Sequence, residues 1–189
     1  MIVYSDLHLF GTHKKIDIDL EFGPEVFYIG DIVDIKNCRK KNINEAKQLL
    51  EKIEKNAGKN YIAGNHELKK GSNEYIIYKN ILLCHGDIFL WSKERYLKWR
   101  NGSIKPGKSD FIRFLLRLKN CFVRFRIINL NENVLNKIYK YVLALDKGVN
   151  TVIIGHEHPN KIIKKKIAIN NYPEITIIIV PRGKNYIDI

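Results

Sequence analysis

Asp6 and His8 stand two positions apart in "SDLH", directly after the apolar opening of the chain. An acid and an imidazole at the end of a buried strand are costly unless they are paired, hydrogen-bonded or bound to a metal. The same situation recurs along the sequence in "GDIVD" (Asp31, Asp34), "GNHE" (Asn65, His66), "CHGD" (His85) and "GHEH" (His156, His158). Five of the six histidines lie in these stretches, so together they can be a single site. Carboxylate oxygen, amide oxygen and imidazole nitrogen suit Mn²⁺, Fe or Zn²⁺, and the absence of cysteine from the set argues against a structural zinc. Two ions about 3.5–4 Å apart would need a shared carboxylate; they would clamp a phosphate and convert a bridging water to hydroxide near neutral pH. The competing reading is a set of strand-end caps and satisfied core histidines.

To converge, these stretches must sit at the ends of strands in one sheet system. Each follows an apolar run of β character, and ligands of open α/β sheets gather at the carboxyl ends of strands. Strands are expected at Met1–Ser5, Glu25–Ile29, Lys59–Ala63, Glu74–Tyr78, Ile81–Cys84, Asn150–Ile154, Ile162–Ile169 and Glu174–Val180. A helix is expected over Asn44–Asn56, where Leu49, Leu50 and Ile53 recur at helical spacing before Gly58. Glycine before Asp, Asn or His supplies the sharp turn that aims the side chain inward. Cys84 should point to the face opposite His85, into the core. Glu67 reads as an ordinary loop acid and His13 as a surface histidine.

The chain of 189 residues is long enough for one domain with a full core, at 45% hydrophobic and 28% charged residues. Its net charge of +13 favours anionic partners. That charge is concentrated: residues 91–148 hold fourteen Lys and Arg against four acids, a net +10. Over roughly 90–147 the pattern turns helical, interrupted around "NGSIKPGKS". Phe111, Leu115, Leu118, Phe122 and Phe125 recur at helical spacing, and Arg113, Arg117 and Arg124 form their own stripe. Such a basic amphipathic helix can lie in a membrane interface, or cap the domain with its apolar face inward. Trp91, Tyr96 and Trp99 interleave with Lys93, Arg95, Lys98 and Arg100, which suits the bases and phosphates of nucleic acid. Arg113 and Arg117, with Arg182 in "VPRGK", are candidate contacts to a substrate phosphate. No apolar run approaches the ~18 residues of a bilayer span. Three widely spaced cysteines make no disulfide framework, so a cytoplasmic location is expected, with the inner membrane surface within reach of the insertion.

The five blocks, in this order from Asp6 to His158, resemble the calcineurin-like metallophosphoesterase superfamily. That resemblance implies a single α/β domain, a four-layer αββα metallophosphoesterase sandwich, with a basic helical insertion at about 90–147. It implies two divalent ions, Mn²⁺ foremost with Fe or Zn²⁺ as alternatives. Asp6, His8 and His158 would bind one ion, Asn65, His85 and His156 the other, and Asp31 would bridge them. His66 would be the histidine outside the ligand set that assists the leaving oxygen, oriented by Asp34. The reaction would be hydrolysis of a phosphodiester or pyrophosphate by in-line attack of the bridging hydroxide. "SDLHL", "HGD" and the helical insertion are similar to the UDP-2,3-diacylglucosamine hydrolases, although His66 stands where that group commonly has Arg. Alternatives are a nuclease or cyclic-nucleotide phosphodiesterase, and a non-catalytic scaffold of the same fold. No obligate protein partner is implied.

Overall fold

The computed structural model describes residues 1–12, 18–67, 73–90, 92, 94, 96, 107–123, 132–145, 147–156, 159–168 and 173–188, with side chains of 90 and 117–123 left aside. The described residues form a mixed α/β structure with two mixed sheets. In chain order the strands are β1 (Ile2–Ser5), β2 (Val26–Ile29), β3 (Tyr61–Ile62), β4 (Tyr75–Tyr78), β5 (Ile81–Cys84), β6 (Thr151–Ile154), β7 (Ile163–Ile167), β8 (Ile175–Ile179) and β9 (Gly183–Tyr186). The α-helices are α1 (Ile43–Ala57), α2 (Asp87–Leu90), α3 (Asp110–Val123) and α4 (Glu132–Leu145). The first sheet has the order β3-β2-β1-β9 and the second β4-β5-β6-β8-β7.

Strand alternation divides the apolar residues into three cores. Val3, Phe27, Ile29 and Ile62 of the first sheet pack against Ile81, Leu83, Ile153 and Ile178 of the second, forming a dry layer between the sheets. Tyr4, Tyr28 and Tyr61 face the other way, onto Ala46, Leu50 and Ile53 of α1. Leu82, Cys84, Val152, Ile154 and Ile177 face outward onto Ile138, Tyr139 and Val142 of α4. Among the described residues α1 covers the first sheet, and α4 with Phe89 of α2 covers the second; Cys84 turns into that outer core, away from His85. β1, β2 and β3 run parallel, as do β5, β6 and β8, so within each sheet their carboxyl ends share an edge.

Two helices of the stretch expected to be a basic helical insertion are described, α3 and α4. α4 is an integral layer, buried through Ile138, Tyr139 and Val142. In the first turns of α3, Phe111, Phe114 and Leu115 are exposed, and Arg113 is buried at 6% relative exposure. Trp91 and Trp99 lie outside the described residues, whereas Tyr96 is buried with its hydroxyl donating to Glu74 Oε1 at 2.8 Å. β9 had no apolar signal to announce it. Its inward Asn185 is buried and donates from Nδ2 to the carbonyls of Val3, Pro181 and Gly183, so a polar strand closes against β1. Lys59 and Asn60, expected in a strand, instead form a 3₁₀ turn before the short β3.

Candidate metal centre

The loops after β1, β2 and β6 are held in conformations that L-residues rarely adopt. Asp6, His8 and Phe10 have φ of 55°, 51° and 66°, Asp31 has 54° and His156 has 71°. Left-handed backbone at bulky residues persists where surrounding contacts over-determine it, and such positions cluster at functional sites. The amides of this first loop are tied to the second, with Asp6 N donating to Gly30 O (3.0 Å), His8 N to Asp31 O (2.8 Å) and Leu9 N to Ile32 O (2.9 Å). Gly30 has a φ of 90°, and a Cβ there would meet His85 Nδ1 at 2.6 Å. Gly64 is needed for space: the backbone nitrogen and carboxylate of Asp31 occupy the place of its missing side chain.

These loops bring the predicted side chains together around the Asp31 carboxylate. Asp31 Oδ2 lies 3.4 Å from His85 Nε2 and 3.9 Å from both His8 Nε2 and His66 Nε2. Among the described residues, two groups bring their ligand atoms within 4.8 Å of one another, close enough to share an ion: His8–Asp31–His66 and Asp31–His85–His156, with Asp31 in both. His85 Nε2 also faces His156 Nδ1 at 2.9 Å and Asn65 Oδ1 at 3.4 Å. Asp6 flanks the first group, its Oδ1 4.0 Å from His8 Nε2, while its Oδ2 accepts from His156 N at 2.8 Å and from Ser5 Oγ. His158 lies outside the described residues.

The donor set fits a cation. His85 Nδ1 meets the Ile29 carbonyl at 3.1 Å, an acceptor that places the proton on Nδ1 and directs Nε2 at the cluster. There Nε2 faces a carboxylate, an amide oxygen and a second imidazole, and one proton can serve only one of these acceptors. Burial would raise the Asp31 carboxyl, yet the imidazoles of His85, His66 and His8 hold it well below the usual carboxylate range. Burial likewise works to lower His85, and the Asp31 charge with Asp6 and Asp87 pushes it up to about 10. Asp6, Asp31, Asp34, Glu67 and Asp87 are all at 2% relative exposure or less. The ionised carboxylates among them call for compensating positive charge.

His66 has 18% of its side chain exposed, against 2% or less for His8, Asp31 and His85; His156 is likewise only partly buried. Its Nδ1 donates to Asp34 Oδ1 at 2.8 Å, and Asn37 Nδ2 donates to Asp34 Oδ2 at 3.2 Å. Asp34 thus holds the ring, the contact that the motif resemblance implied. Burial acts to lower His66, but the carboxylates of Asp31 and Asp34 raise it above the ordinary histidine value.

Glu67, expected to be an ordinary loop acid, is instead buried at the hinge of the site. Its Oε1 accepts from Ile32 N (2.8 Å) and Val33 N (3.1 Å), and its Oε2 from Gly64 N (2.7 Å) and Asp31 N (3.2 Å). It therefore ties the Asp31 loop to the Asn65 loop. Burial first, and the Asp31 charge second, push it up to about 7. The only cue in the sequence was an acid in a tight turn between two apolar runs, where backbone amides are the available partners.

Arg182 directs Nε to the Asp6 carbonyl (2.9 Å) and Nη2 to that of Leu7 (2.5 Å). Arg113 donates from Nη1 to Phe10 O (3.2 Å) and Asn37 O, and from Nη2 to Gly11 O (3.1 Å). Both were expected to face a substrate phosphate, and both commit these donors to backbone carbonyls. The Arg117 side chain and His13 lie outside what is described. No protein-family model matches the chain, and comparison with curated proteins finds no match.

Proposed function

We propose that the chain is a dinuclear metal-dependent phosphohydrolase that cleaves a phosphodiester or pyrophosphate, with the sandwich of the metallophosphoesterases. The observation that carries this reading is Asp31, whose single carboxylate serves two ligand groups at once. By the motif resemblance, Asp6 and His8 would hold one ion with His158, Asn65, His85 and His156 would hold the other, and Asp31 would serve both. Bound there, the ions would offset phosphate charge and acidify a water for in-line attack. Mn²⁺, Fe and Zn²⁺ all suit this N/O set.

The chain's own groups account for the rest. His66, raised in basicity and partly exposed, is the group positioned to protonate the leaving oxygen from Nε2. Asp34 and Asn37 hold its ring, and Glu67 holds the loop that carries Asp31. On α3, Phe111, Ile112, Phe114 and Leu115 are exposed, which favours a substrate with a lipid part over a wholly polar one. No helix among the described residues is long and apolar enough to cross a membrane, so this contact would be peripheral.

The test is ³¹P NMR of Mn²⁺-loaded protein with a nucleotide–diphospho-lipid, a 2′,3′-cyclic nucleotide and single-stranded DNA, each with an EDTA control and an Asp31→Ala variant. Splitting of the pyrophosphate, lost with EDTA and in the variant, is the expected result. Turnover of the cyclic nucleotide or DNA instead would make the basic segment a nucleic-acid surface. Two bound ions with no hydrolysis would leave a scaffold.

A further inference from the structure

Every backbone carbonyl from Asp6 to Gly11 has a donor: one comes from within the segment and the others from three distant parts of the chain. His8 O accepts from Gly11 N (2.9 Å) and Leu9 O from Asp34 N (2.8 Å). The remaining four are taken by two guanidinium groups: Arg182 holds Asp6 and Leu7, and Arg113 holds Phe10 and Gly11. The clamped segment is the one with left-handed φ at Asp6, His8 and Phe10. A loop so strained relaxes unless its polar groups are held from outside. A planar fork with several N–H donors can grip two or three carbonyls at fixed angles, which an ammonium cannot.

Arg113 reaches further than Arg182, because Nη1 also donates to Asn37 O, beside the amide that steadies Asp34. The chain leading into α3 is stitched to the same turn: Gly107 N donates to Ile35 O (3.1 Å) and Lys108 N to Cys38 O (2.8 Å). This accounts for the burial of Arg113 on α3, while Phe111 and Phe114 beside it stay in solvent.

We propose that Arg113 and Arg182 are paired positioning residues that hold the 6–11 loop in its ligand-bearing shape, and that Arg113 makes the basic segment a working part of the site. The assignment rests on the dinuclear reading for its consequence, and on the loop geometry for its substance. Two measurements on the full chain separate these. The first is titration of metal-free protein with Co²⁺, followed by its visible spectrum. Wild type takes up two equivalents; in Arg113→Lys and Arg182→Lys one equivalent weakens by about 10–100-fold, as for other groups that orient ligands, and the other is unchanged. Methylguanidinium restores the lost affinity to Arg113→Ala. Arg39→Ala, which breaks only the exposed pair with Asp110, leaves both equivalents as in wild type. The second measurement is hydrogen exchange of the metal-free protein, where the lysine variants speed the amides of residues 6–12 about tenfold or more and leave the β5 and β6 amides unchanged.

Lysine variants that bind both equivalents with wild-type affinity and exchange at wild-type rates overturn the proposal. Equal weakening of both equivalents also overturns it, since that is what general destabilisation produces. A wild type that takes up no Co²⁺ overturns the dinuclear reading instead, and hydrogen exchange then decides the arginines alone.

Discussion

Glu67 shows how much one side chain can carry when its partners are backbone amides. Both of its oxygens are used twice, across two loops, so Glu67→Gln must turn an NH₂ group against either Asp31 and Gly64 or Ile32 and Val33. An amide left unsatisfied in the interior costs about 1–3 kcal/mol. We expect Glu67→Gln to lose stability on that scale in urea unfolding of the metal-free protein, with Asp31→Asn losing less. His66 makes a different prediction. Held by Asp34 and partly exposed, it should be expendable for binding ions and needed for turnover. His66→Asn should retain both ions and lose about 10²–10⁴ in kcat, the usual share of a positioned acid. A fall in ion content would make it a ligand, as its place beside His8 and Asp31 also allows.

Among the helices, α3 and α4 are both amphipathic and have opposite relations to the core. Ile138 is fully buried against Leu82 and Val152, so Ile138→Ala should cost about 2–5 kcal/mol by chemical denaturation. Phe111 is 71% exposed, and Phe111→Ser should change stability by less than about 0.5 kcal/mol. The same variant, combined with Phe114→Ser, should weaken action on a lipid-bearing substrate while sparing a soluble one, read as KM in the NMR assay. Equal effects on both substrates would remove the lipid role of α3. At the far edge of the second sheet, β7 exposes Lys164, Lys165 and Lys166, a run that discourages pairing with another sheet.

For the whole molecule, buried charge links stability, protons and metal. His85 is pushed up to about 10, so at neutral pH the metal-free protein holds a proton there that an incoming ion must displace. The sign follows: ion binding releases protons, and apparent affinity rises with pH across the neutral range. Calorimetry of Mn²⁺ binding in two buffers of different ionisation enthalpy should show that release; no difference between the buffers would overturn it. Ions that bind only the folded state also stabilise it, by about 2.7 kcal/mol when present at a hundred times Kd. EDTA should therefore lower the melting temperature of the loaded protein.

Much of this was legible in the residues. Apolar runs ending in Asp, Asn or His mark both the strand and the group it delivers, because strand alternation and the carboxyl-end rule are local. Asp6, His8, Asp31, Asn65, His85 and His156 accordingly meet where their spacing placed them. The part of Asp34 beside His66 was legible only through the motif resemblance. The sequence could not tell which acids are buried, since that depends on what packs above a turn; Glu67 looked like any loop acid until the Asp31 loop was laid over it. Nor could helical spacing say which face of α3 is inward. Phe and Leu at that spacing favour burial, but the carbonyls of Phe10, Gly11 and Asn37 are presented by loops more than seventy residues away, and satisfying them draws Arg113 in. Local pattern determined most of the elements and the candidate ligands; long-range hydrogen bonding decided how the loops that carry them are held.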